Sequence, residues 1–342
     1  MRVAKCWVLT PMSELQPQDD FIHATGEEPT WREACYFDFL DPASRLSSFG
    51  YIGVHPNQQV GDVIFALWRD DVLLGSFTRW DFNIPRDIGE ERLGFGHLFF
   101  RPVEPFKTWE IYFDDGRVRV DTTFHAIHPA YFWGQSHGAL EKTNSHHYEQ
   151  QGRYSGEVRI GTERYKIDGV GVRDHAWGWG ARAGIRRWIW ASAQFSSGLA
   201  FNTFLVTLAD GRDIFYGYIW RGKHNELIRR SMLKAEYAPK GQAPATLALT
   251  MEGRNGDRVS ASARVLNAFN TSFQERNKTG YHYFCAAEFH CEGQVGYGQV
   301  NVHWQKQEDR PEDWTVSQEQ TTSIAGLDDQ GDALAAANAG SR

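Results

Sequence analysis

The chain has 342 residues, 41% apolar and 14% aromatic, with 13 tryptophans; this excludes extensive disorder and exceeds what one hydrophobic core usually organises, so two domains are expected. A net charge of -7 and a pI near 6.0 leave no clustered basic surface for nucleic acid, and no basic amphipathic stretch points to a membrane surface. No apolar run reaches the roughly 20 residues of a membrane-spanning helix, and residues 1–16, broken by Pro11, lack a secretory core, so a cytoplasmic protein with no integral membrane segment is expected.

Near the start, Glu27-Glu28 before Pro29 reads as a solvated turn. Glu33 differs: it lies between Trp31 and Cys35, where a carboxylate is costly unless paired or protonated. Apolar residues then recur with period two, separated by turn dipeptides, the pattern of hairpins with one buried face. Trp109, Ile111 and Phe113 precede Asp115-Gly116, with Val118 and Val120 after it. His125, His128, His137, His146 and His147 invite a metal reading, but on extended chain His125 and His128 face opposite ways and adjacent His146-His147 cannot share one ion without a sharp bend. No metal site is expected.

Gly169, Gly171, Gly178 and Gly180 mark a junction between residues 165 and 180, which divides the chain into 1–170, 171–305 and a polar tail, 306–342, expected to fray. In the second part, Phe204, Val206 and Leu208 pair across Asp210-Gly211 with Ile214, Tyr216 and Tyr218. Leu247, Leu249 and Met251 pair across Asn255-Gly256 with Val259, Ala261, Ala263 and Val265, and Tyr283 to Phe289 turn at Glu292-Gly293 toward Val300, Val302 and Trp304. Only Leu227 to Leu233 hints at a helical period. Cys285 and Cys291, six residues apart in one apparent strand, lie about 20 Å from each other at the extended rise and form no disulfide. The reading is all-β: two antiparallel up-and-down barrels or sandwiches side by side, with room for an apolar ligand.

Gly94-Phe95-Gly96 and Gly169-Val170-Gly171 lack the third glycine and the strand-to-helix setting of a dinucleotide loop, and neither a nucleophile elbow nor a Walker element occurs. No cofactor is expected.

The most distinctive passage is Gly169-Val170-Gly171-Val172-Arg173-Asp174-His175-Ala176-Trp177-Gly178-Trp179-Gly180, followed by Trp188-Ile189-Trp190-Ala191. It resembles the G-x-R-D-H-x-W-G element that joins the two domains in the carotenoid 1,2-hydratase (hydroxyneurosporene synthase) and AttH-like group of double lipocalin-like (calycin) proteins. Asp20, His23, Trp31, Glu33 and Tyr36 resemble an opening D-x-x-H…W-x-E-x-x-Y segment of uncharacterised bacterial relatives. Trp190, Gly198, Asp210-Gly211 and Gly217-Tyr218 follow the second-domain pattern, so the resemblance spans most of residues 20–304. It implies two lipocalin-like domains and a place among carotenoid hydratases, kievitone hydratase-like enzymes and fungal Diels–Alder cyclases, which share a barrel-interface pocket but no single reaction. In the carotenoid hydratases the residues matching His175 and Trp177 are associated with activity, with a Tyr-x-Asp strand soon after. Here that strand reads Phe201-Asn202-Thr203-Phe204 and supplies no carboxylate, so an acid would come from Asp174, Glu33 or Asp38.

The resulting expectation is a cofactor-independent hydratase, dehydratase or related lyase or cyclase acting on a hydrophobic isoprenoid, polyketide or aromatic small molecule between the barrels. Asp174 and His175 are the candidate proton-handling pair, and Trp177, Trp179, Glu33, Tyr36, Trp190 and Phe204 the candidate substrate-binding residues. Hydration of an alkene needs a carboxylic acid held protonated by burial and rings that stabilise a cation. Two alternatives stand beside it: a carrier that returns its ligand unchanged, and a pericyclic cyclase that works by shape. Asp174 and His175 have a structural alternative too, as a turn cap and a satisfied junction histidine.

Overall fold

The computed structural model describes residues 15–84, 92–133, 145–179, 185–237, 243–271, 280–306, 308 and 312–317. Among them the helices are short 3-10 turns at Pro17–Asp20 and Pro56–Gln58, and none is long and apolar enough to cross a membrane.

Strands β1 (Trp31–Asp41), β2 (Leu46–His55), β3 (Val60–Arg69), β4 (Val72–Asn83), β5 (Leu93–Phe95), β6 (Leu98–Glu104), β7 (Thr108–Asp114), β8 (Val118–Ala126), β9 (Tyr131–Phe132), β10 (Ser145–Ile160) and β11 (Glu163–Trp179) build the first sheet. Its order is β4-β3-β2-β1-β11-β10-β8-β7-β6-β5, with β9 on β10. The sheet curls on itself, bringing Phe65 of β3 onto Phe113 of β7 with ring centroids 3.7 Å apart. Strands β12 (Ile185–Phe195), β13 (Ala200–Leu208), β14 (Asp213–Trp220), β15 (Asn225–Tyr237), β16 (Pro244–Gly253), β17 (Arg258–Asn270), β18 (Gly280–Cys291) and β19 (Gln294–Gln305) follow, and a β14–β15 pairing closes these eight into a barrel. The nearly all-β, lipocalin-like architecture read from the sequence is therefore present.

Alternation explains the local structure. In β7 the burial of Trp109, Ile111 and Phe113 alternates with half-exposed neighbours, so one face enters the core and the other meets water. The hairpins expected at Asp115-Gly116, Asp210-Gly211, Asn255-Gly256 and Glu292-Gly293 all form.

Three expectations are corrected. Residues 227–233 belong to strand β15, not a helix, because pairing with β14, β16 and β20 (Asp313–Ser317) satisfies their backbone. The boundary at 170/171 cuts a continuous strand: β11 pairs with β1 and β10 through Trp179 and Gly178, so residues 171–179 belong to the first sheet and the second unit begins at β12. The stretch after residue 305 is not all tail, since β20 pairs with β15.

Each unit has its own interior core. A third apolar cluster lies between them, where the outer faces of both units meet: Tyr36, Phe49, Trp68 and Trp133 on one side, Trp188, Trp190, Phe204, Tyr216 and Phe284 on the other. Burying one such ring stabilises by about 1.5–3 kcal/mol. Polar anchors set the register of this seam. The Gln151 amide donates to Ser192 Oγ at 2.8 Å and to the Phe201 carbonyl at 2.7 Å, and Gln194 donates to the Gly152 and Gly171 carbonyls at 2.9 and 2.8 Å. Gly171 is needed where β11 passes β1, because a Cβ there would lie 1.9 Å from the Asp38 carbonyl oxygen.

Candidate functional site

Side chains alternate along β11, and that alternation separates Asp174 from His175. Arg173, His175 and Trp177 turn to the inside of the first sheet, whereas Val172 and Asp174 turn to the seam. Cross-strand neighbours divide the same way: Cys35 and Tyr148 flank His175, and Tyr36 and Glu149 flank Asp174. The two candidate proton carriers therefore point away from each other. They belong to two clusters on opposite faces of one strand.

On the inner face, His175 Nε2 lies 2.5 Å from Glu33 Oε1, and His23 Nδ1 lies 2.9 Å from the same oxygen. The other His23 nitrogen lies 3.4 Å from Asp19 Oδ1. His23 stacks on Trp177 with centroids 4.1 Å apart. Beneath them Asp20, at the end of the 3-10 turn, accepts from the Phe106 N–H at 2.6 Å, Trp109 Nε1 at 3.0 Å, Arg173 at 2.7 Å and the Tyr148 hydroxyl. Arg173 is itself enclosed by the faces of Trp109, Phe124 and Tyr148. Burial opposes ionisation of Asp20, yet Arg173 and the Tyr148 and Phe106 donors hold its carboxyl below the ordinary range. Glu33 is likewise buried, and hydrogen bonds from His175 and His23 with their charges hold it low. Both are buried carboxylates kept charged by their partners.

The seam face carries the opposite electrostatics. Glu149 is 1% exposed; Trp190 Nε1 donates to its Oε1 at 2.8 Å, and the Trp133 indole faces the same carboxyl. Burial first, and the charge of Asp174 second, push the Glu149 carboxyl well above the ordinary range despite the Trp190 donor. Asp38 is also buried there. Its Oδ1 accepts from the Val172 N–H at 3.1 Å, the Tyr36 hydroxyl faces it, and burial again drives its carboxyl well up. The seam thus holds two buried carboxyl groups among aromatic rings, each with a raised affinity for its proton. His147 stacks on Trp133 at 3.8 Å, with Nε2 3.6 Å from Asp174 Oδ2 and 3.9 Å from Glu149 Oε1. The side chains of His147 and Asp174 are 21% and 27% exposed, so the seam meets solvent beside them. Trp133 stacks on Tyr216 at 4.8 Å and tilts toward Phe204 at 4.9 Å.

Of the residues singled out from sequence, Asp174, Tyr36, Trp190 and Phe204 are on the seam, while His175, Glu33 and Trp177 are on the inner face. The Trp179 side chain lies outside the described residues, as does the whole of His137. Glu149, His147 and Trp133 carry the seam site without having been chosen as its members. Their signal was present in His146-His147-Tyr148-Glu149-Gln150-Gln151, an unusually polar run that becomes meaningful only once it is laid beside 172–178.

A family model described as "Domain of unknown function (DUF7064)" matches residues 16–306. The chain belongs to the DUF7064 family. No curated protein matches this DUF7064 chain by sequence. In structure it is similar to an AttH-like protein from Nitrosomonas europaea, with a TM-score of 0.66 and 16% identity over 86% of this chain and 98% of that one. It is also similar to CghA solved with Sch210972, with a TM-score of 0.59 and 12% identity over 81% of this chain and 89% of CghA. Kievitone hydratase from Nectria haematococca gives a TM-score of 0.58 and 12% identity over 86% of this chain and 93% of the hydratase. At these identities the likeness establishes a common fold.

Proposed function

We propose that this DUF7064 protein adds water to, or removes it from, a hydrophobic small molecule at the aromatic seam, with Glu149 as the acid. The observation that carries this reading is the Glu149 carboxyl, buried against the Trp190 and Trp133 indoles with its affinity for a proton raised. Similarity in fold to kievitone hydratase supports it. Protonating an alkene carbon requires a donor that still holds its proton when the substrate arrives, and a buried carboxylic acid meets that need. The cation that forms is stabilised by the faces of Trp133, Phe204 and Tyr216, by about 2 kcal/mol for a desolvated contact.

Water enters where Asp174 and His147 reach solvent. As its oxygen bonds to the carbon, its proton passes to Asp174 or His147. His147, within 4 Å of both carboxyls, returns a proton to Glu149. The balance is one alkene and one water giving one alcohol, with the acid regenerated, and the reverse sequence dehydrates. Asn202, fully buried with both amide atoms unpartnered and two residues before Phe204 on the same face of β13, is a polar group available to a substrate hydroxyl. It stands in the strand where the carotenoid hydratases carry Tyr-x-Asp, so here the acid comes from β10.

The test is incubation of the wild type and Glu149→Gln with apolar alkenes and tertiary alcohols in heavy-oxygen water, followed by mass spectrometry. Heavy oxygen in the product of the wild type alone supports the proposal. Ligands recovered unchanged from both proteins identify a carrier, and an unlabelled rearranged product made equally by both identifies a cyclase that needs no acid.

A further inference from the structure

The inner-face cluster plays no part in the seam chemistry, and three of its ligating side chains converge. Tyr148 gives its own proton to Asp20, which also accepts from Arg173. Toward His175 Nδ1, 3.4 Å away, Tyr148 therefore acts as the acceptor, and Nδ1 carries the hydrogen. His175 Nε2 then directs a lone pair at Glu33 Oε1 across 2.5 Å unless something positive sits between them. His23 meets the same difficulty: its nitrogens face Glu33 Oε1 at 2.9 Å and Asp19 Oδ1 at 3.4 Å, two acceptors for an imidazole with one hydrogen. Glu33 is 0% exposed, and its second oxygen, Oε2, has no hydrogen-bond partner. Two imidazole nitrogens and a buried carboxylate oxygen therefore converge on one point, as the ligands of a cation do.

We propose that His23, Glu33 and His175 bind a divalent first-row transition-metal ion. His23 Nδ1, His175 Nε2 and a Glu33 carboxylate oxygen offer three ligand atoms that all lie within 4.8 Å of one another, and two imidazoles with one carboxylate suit zinc, iron or manganese with coordination positions left open. Outer partners are in place for both histidines. Asp19 faces His23 Nε2, and Tyr148, itself fixed by Asp20, orients His175, the arrangement that sets tautomer and ring direction in metal sites. Trp177 covers His23 and limits access by water. The ion draws on the unpartnered Glu33 Oε2 and offsets the buried charge of that carboxylate.

Zn2+ titrated calorimetrically into the full chain after chelator treatment should bind one equivalent, and Co2+ should give visible d–d bands of a nitrogen- and oxygen-ligated ion. His23→Ala, at a partly exposed position before β1, and Glu33→Gln should each weaken Zn2+ by more than the about 10–100-fold that outer-shell changes cost, with Tyr148→Phe losing about 10-fold. Circular dichroism checks each fold, and His23→Ala decides the matter if Glu33→Gln does not fold. Absence of saturable binding of Zn2+, Co2+, Mn2+ and Fe2+ by natively folded protein, or affinity unchanged in His23→Ala, would overturn the assignment and leave a hydrogen-bonded cluster without an ion. None of these readouts depends on the seam reaction.

Discussion

Glu149→Gln tests the seam acid without any knowledge of the substrate. A carboxyl whose native pKa is raised binds its proton more tightly in the folded state than in the unfolded chain, where 4.5 is the ordinary value. Between 4.5 and the native value the folded protein therefore carries one proton more, and stability falls as pH rises, by about 1.4 kcal/mol per pH unit for one proton. Glutamine has the same shape, and its carbonyl oxygen can still accept the Trp190 N–H, so the variant keeps the hydrogen bond and loses only the proton linkage. At pH 4 the two proteins should differ by about 1 kcal/mol or less, the net worth of one altered hydrogen bond. Above the ordinary value the wild type should lose ground steadily to the variant, until Glu149 ionises in the native state. Urea unfolding of both proteins across a pH series measures the difference directly. Parallel stability curves would mean that Glu149 holds its proton no more tightly in the native state than in the unfolded chain, and the acid role would fall with that result.

Asp174→Asn removes a neighbouring negative charge that helps hold up both Glu149 and Asp38. The native Glu149 pKa should drop, so the pH-dependent decline should end at lower pH than in the wild type; an unchanged end point in the same unfolding series would disprove the coupling. Arg173→Met strips the partner from Asp20, with both side chains buried, and should cost about 3–5 kcal/mol near neutrality, as loss of one member of a buried ion pair does. Because Asp20 is held below its ordinary 3.8, its contribution is complete above that value and disappears as pH falls through the native one, so the gap between Arg173→Met and wild type should narrow in acid. A loss under about 1 kcal/mol at neutral pH would show that Asp20 is not charged in the fold.

The seam site was half legible in the sequence. Trp188 and Trp190, two residues apart, share a strand face whatever that face covers, and both lie on the seam. The cost of leaving Glu33 unpaired beside Trp31 and Cys35 pointed to a partner, and His175 and His23 are close against it. The pairing of Asp174 with His175 as one working unit does not fit the geometry, because the same period of two that brings the tryptophans together sends adjacent residues apart. Glu149 was hidden for a different reason. Nothing near it in sequence reveals that an indole from β12, 41 residues on, would close over its carboxyl.

Local chemistry alone determined the meanders, the hairpin turns and the two-unit, all-β plan, since alternation and turn residues act over a few positions. Tertiary structure decided where the units divide, because only pairing with β1 and β10 shows that residues 171–179 complete the first sheet. It also decided the charge states. Whether a carboxyl ionises depends on what surrounds it in three dimensions: His23 and His175 keep Glu33 charged on one face of β11, while burial among rings favours the proton on Glu149 across from it.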